Sequence, residues 1–88
     1  MELSEEDRKA FNNQADRVLD ALEGDFHVVS RENKNRSVLV VLSSGGNMAE
    51  FKVIPRHRFL VRSFATGDRE VFHRRQDTVA LLELILFN

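Results

Sequence analysis

Two periodicities divide the chain. Phe11, Ala15, Val18, Leu19 and Leu22 fall at i, i+4, i+7, i+8 and i+11, which is one apolar stripe of an α-helix. Ser4 stands where an N-cap belongs, and Glu5, Glu6 and Asp7 fill a first turn that favours negative charge. Gly24 offers a left-handed stop. Together these signals predict a helix over about 5–23.

From Phe26 the period falls to two. Phe26 to Arg31, Met48 to Ile54, Arg58 to Ala65 and Arg69 to His73 read as strands. The unbroken run Val38 to Leu42 reads as a strand covered on both faces over part of its length. Turns are expected at Glu32–Asn35, Ser43–Asn47, Pro55 and Thr66–Asp68. Asp77 is a candidate cap for a closing helix from Thr78 to Phe87. The order α-β-β-β-β-β-α with short connections predicts one α+β domain over residues 1–88. Its expected architecture is an antiparallel meander of four to five strands between an N-terminal and a C-terminal helix. The helices share one face, making a two-layer sandwich. The expected core includes Phe11, Val18, Leu22, Phe26, Val28, Leu39, Val41, Phe51, Val53, Phe59, Val61, Leu81 and Leu84.

The closing helix is apolar nearly all round, with Glu83 as its one charge between Val79 and Phe87, so it must be buried on more than one side. The plainer reading wedges it between the sheet and the first helix; the other makes Leu82, Ile85, Leu86 and Phe87 the candidate protein interface, with a second copy as the first expected partner and a homodimer as the product.

Composition narrows the picture. With 42% hydrophobic residues and a net charge of −1, the 88-residue chain is too apolar and too weakly charged to stay disordered. The absence of cysteine removes disulfides, thiolate metal sites and cysteine nucleophiles. The apolar stretch at Val79–Phe87 is far short of the ~20 residues of a membrane span. The acidic start lacks the basic-then-apolar order of a signal peptide. A cytoplasmic protein without membrane contact is expected.

Charge is distributed very unevenly. Residues 1–25 hold eight acids against three bases, whereas residues 52–75 hold seven bases against Asp68 and Glu70. Six of those seven bases are arginine, whose planar fork suits phosphate or carboxylate. Alternation along Arg58–Ala65 puts Phe59, Val61, Ser63 and Ala65 on one face and Arg58, Leu60, Arg62 and Phe64 on the other. If the helices cover the first, the second presents arginines interleaved with apolar side chains. Arg56, Arg58, Arg62, Phe64, Arg74 and Arg75 are therefore the candidate residues for an acidic protein partner. The alternative is RNA or a single-stranded nucleic acid, with bases stacked on Phe64. The plainer reading is a solvated face whose arginines pair with the acids of the first helix or keep sheet edges apart.

Catalytic chemistry finds little support. His27, His57 and His73 fall at no metal-ligand spacing. Ser43 and Ser44 precede Gly45-Gly46 without a nucleophile elbow, and no glycine-rich segment has phosphate-loop spacing. No catalytic, cofactor-binding or metal residue is assigned, and no small-molecule substrate is expected. The functional expectation is a small non-enzymatic protein-binding, adaptor or regulatory domain that self-associates through its last helix. The alternative is a nucleic-acid-binding module built on the arginine-rich region 52–75.

Overall fold

The computed structural model describes residues 4–88. Helix α1 (Glu5–Ala21) starts as its cap demands, with the Asp7 N–H donating to Ser4 Oγ at 3.2 Å. Strands β1 (His27–Lys34), β2 (Ser37–Ser44), β3 (Asn47–Ile54), β4 (Arg58–Ser63) and β5 (Arg69–Phe72) follow, and α2 (Arg75–Leu86) closes the chain. The strands form one antiparallel sheet in sequence order, β1-β2-β3-β4-β5. Both helices pack on one face of it, giving the two-layer α+β arrangement. Among the described residues no helix is long and apolar enough to cross a membrane.

Strand register decides which side chains meet the helices. One row runs Val38–Val53–Phe59–Phe72, the next Val40–Phe51–Val61, and a third pairs Leu42 with Ala49. All of these are buried except Phe72, which packs partly buried against them. The helices contribute Ala15, Val18, Leu22, Val79, Leu82 and Leu86. Thr78 is buried among them, its hydroxyl donating to the Arg74 carbonyl at 3.1 Å, which satisfies the polar group within its own turn.

Several expectations change here. Leu39 and Val41 leave the core, because β2 buries Val38, Val40 and Leu42 instead. A continuous apolar run has no alternation to fix its parity, and only pairing with β3 fixes it. Leu84 is 59% exposed, its expected core place being taken by Val79, Leu82 and Leu86. Val28 lies opposite Leu42 but on the edge strand, where it stays 46% exposed. Phe11, Phe26 and Leu81 are only partly buried.

Boundaries move as well. β1 extends to Lys34 and turns back through Asn35 and Arg36, since an edge strand tolerates the polar Glu32, Asn33 and Lys34. β4 ends at Ser63, although the Phe64 N–H still donates to the Met48 carbonyl at 3.1 Å. α2 starts three residues early, at Arg75, so Asp77 sits in its first turn instead of capping it. Gly24 is no left-handed stop: α1 ends at Ala21, and Leu22 is already extended. Gly24, at φ 153°, instead lets the Phe87 ring lie against the backbone, where a Cβ would come 2.9 Å from ring carbons.

Two side chains anchor the end of α2. Asn47 Nδ2 donates to the Leu86 carbonyl at 3.2 Å, and the Glu83 carboxylate accepts the Glu23 N–H at 2.8 Å. They tie the helix to the β2–β3 turn and to the segment after α1, and so leave the far side of the sheet uncovered.

Candidate binding surface

The uncovered face follows from the same register. Leu39, Lys52, Leu60 and Val71 form one row from β2 to β5, and Val41, Glu50, Arg62 and Arg69 the next. Val71 is 49% exposed, while Leu39, Val41 and Leu60 are half-buried by their neighbours alone. Arg62 is held on two sides. Its Nε donates to Glu50 Oε1 at 2.6 Å, and its guanidinium lies 4.4 Å from the centroid of the Phe64 ring, which is 41% exposed. Glu50 and Arg62 thereby offset each other's charge. Lys52 and Arg69 belong to none of the ion pairs among the described residues, which are Arg31–Asp16, Lys34–Glu32 and Arg62–Glu50. The open face is consequently both apolar and positive.

The opposite layer carries a cluster of acids. Glu5, Glu6, Asp7, Asp16 and Asp20 all belong to α1. Among the described residues, one ion pair joins α1 to the sheet: Arg31 of β1 reaches Asp16 at 2.6 Å and also bonds the side chain and carbonyl of Asn12. No base between residues 52 and 75 pairs with an acid of α1 among the described residues. The fold therefore sets a net acidic α1 on one side of the sheet and a net basic set, Lys52, Arg62 and Arg69 against Glu50, on the other.

The residues singled out by the sequence divide into three places. Arg62 and Phe64 belong to the open face. Arg56 and Arg58 sit at the β3–β4 turn, where Arg58 Nε donates to the Pro55 carbonyl at 3.1 Å. Arg74 and Arg75 lie at the start of α2, lining a groove with Ala21, Val79 and Glu83 in the helix layer. The candidate helix interface also divides. Leu82 and Leu86 are core residues, 0% and 2% exposed, and cannot contact a partner without unfolding the helix from the sheet. Phe87 is partly buried over Gly24. Ile85, also partly buried, lines a concavity of about 330 Å³ with Met48, Ser63, Phe64 and Ala65. This concavity brings one member of the helix set beside one member of the basic set.

Leu39, Val41, Lys52, Arg69 and Val71 were not singled out as surface residues. The signal for Lys52 and Arg69 was present in the basic stretch, but their common face depends on register. His57 sits at the β3–β4 turn, its Nδ1 3.2 Å from Gln14 Nε2. Among the described residues no group of His, Asp and Glu is arranged to hold a metal ion. No family model matches this chain, and neither does any curated protein or solved structure.

Proposed function

We propose that this chain is a non-enzymatic protein-binding domain whose docking surface is the open face of the sheet. The observation that carries the reading is the uncovered pair of rows in which Leu39, Val41, Leu60 and Val71 alternate with Lys52, Arg62 and Arg69. A sheet face with this much apolar surface is ordinarily buried against another element, and both helices lie on the other side. Its charge selects the occupant. A second copy docking face to face would oppose Lys52 and Arg69 with their own equivalents, and like charges at close range disfavour that pairing. An amphipathic helix with an apolar stripe and an acidic rim meets both requirements, since it buries the aliphatic row and pairs with the basic residues. The apolar residues of α2 support self-association less well, because Leu82 and Leu86 already serve the domain's own core.

A single-stranded nucleic acid is the second reading, favoured by the exposed Phe64 with Arg62 stacked on it. The rows beside them are aliphatic and give bases no further ring to stack on. That contrast ranks the protein partner first.

The test uses a synthetic amphipathic helix with a leucine face and a glutamate face, labelled for fluorescence anisotropy. It is expected to bind in a salt-sensitive manner, whereas the same peptide with lysine for glutamate does not. Leu60→Asp and Arg69→Glu should each weaken binding about tenfold, roughly 1.4 kcal/mol. Arg69 is exposed and pairs with no acid among the described residues, so its reversal should leave the fold intact. Tighter binding of a single-stranded oligonucleotide than of the acidic peptide would transfer the face to the second reading. Indifference to both would reject the face as a docking surface.

A further inference from the structure

At one end of the sheet, segments far apart in sequence come level. β2 begins at Ser37, β3 ends at Ile54 and β4 begins at Arg58, and the row Val38–Val53–Phe59 aligns these ends. The β1–β2 turn therefore carries Arg36 next to the β3–β4 turn, and Arg36, Arg56 and Arg58 line one shallow concavity of about 450 Å³ with Pro55. Among the described residues no carboxylate lines it. The three ion pairs among the described residues use none of these arginines. Arg58 Nε is fixed on the Pro55 carbonyl, which orients its guanidinium and leaves the two terminal nitrogens for another acceptor. Asp7 lies across the turn, lining a separate concavity with Arg56 and His57.

The turn is itself unusual. Arg56 and His57 both hold positive φ, 67° and 55°, a conformation ordinarily left to Gly or Asn. Two bulky residues kept there, one of them an arginine of the concavity, mark a position held for what it presents.

We propose that Arg36, Arg56 and Arg58 form a binding site for a phosphate group. Three guanidinium groups around one hollow repel one another until an anion joins them. A phosphate monoester brings nearly two negative charges at neutral pH and three terminal oxygens, enough acceptors for all three forks. A carboxylate brings one charge and two oxygens, which a single fork satisfies. The volume is within the roughly 300–1,000 Å³ of small-molecule sites. Pro55 is its one apolar wall among the described residues, so recognition falls on the phosphate and the rest of the ligand extends into solvent. The site lies beyond the aliphatic rows of the open face and stands or falls separately from peptide docking there.

Backbone amide shifts of the isotope-labelled protein, titrated with inorganic phosphate against chloride at constant ionic strength, test this directly. Saturable shifts at Arg36, Arg56, His57 and Arg58 are expected. Arg36→Gln should weaken binding about tenfold without changing the melting temperature, since Arg36 makes no ion pair that the fold depends on. Arg69→Gln, a basic control outside the hollow, should leave it unchanged. Tighter binding of a nucleoside 5′-monophosphate would identify a ligand that continues past the phosphate, and equal affinity would identify the phosphate itself as the recognised unit. Shifts that never saturate, equal shifts with chloride, or equal weakening by Arg69→Gln would each overturn the site.

Discussion

Gly24 shows how one residue can be legible in kind and misread in role. Its place after an amphipathic stripe points to a helix stop, yet the backbone needs it because the Phe87 ring packs where a Cβ would be. That contact joins residues 63 positions apart by subtraction, and no local pattern in the chain announces it. Gly24→Ala is expected to destabilise the protein by about 1–3 kcal/mol, combining an overpacked contact with a strained φ. Denaturant unfolding measures it, and Gly24→Ala in a Phe87→Ala background should show a smaller cost if the ring is the cause. Neighbouring leucines of α2 give a complementary test. Leu82→Ala removes a fully buried side chain and should cost about 2–5 kcal/mol. Leu84→Ala, at a position 59% exposed, should cost no more than about 0.5 kcal/mol. Equal costs would mean that α2 packs on a different face from the one described.

At the scale of elements, the order of helices and strands was readable because each segment has its own period and its own punctuation. Ser4 caps α1 as its position implies, and Gly45-Gly46 turns β2 into β3 with both glycines at positive φ. Parity was not readable in β2 or α2, for one physical reason. Val38–Leu42 and Val79–Phe87 are apolar at nearly every position, so neither contains the contrast that separates an inner face from an outer one. In β4, where Arg58 and Arg62 alternate with Phe59 and Val61, the inner face was legible and the structure buries those two apolar residues. The polar end of β1 was hidden differently, because Glu32, Asn33 and Lys34 resemble a turn while serving as an exposed edge strand. Those charges, together with the irregularity between Val28 and Ser30, also make that edge a poor template for a further strand.

For the whole molecule, a net charge of −1 conceals a layered separation. The two charge blocks were visible along the chain, but their relation required the fold: the acids ride on α1, on one side of the sheet, and Lys52, Arg62 and Arg69 look out from the other. Arg36 stands outside the basic stretch 52–75, and only the meander brings it to Arg56 and Arg58. The same separation underlies the proposed docking, in which a net acidic α1 backs the sheet and the open face receives the partner. Mapping amide shifts on the isotope-labelled protein during titration with the leucine–glutamate helix distinguishes the two sides of the sheet. Perturbations centred on Leu39, Lys52, Leu60, Arg69 and Val71, with α1 and the exposed side of α2 unmoved, are the predicted result. Perturbations centred on Leu81, Leu84 and Ile85 of α2, or none on the sheet, would contradict that docking.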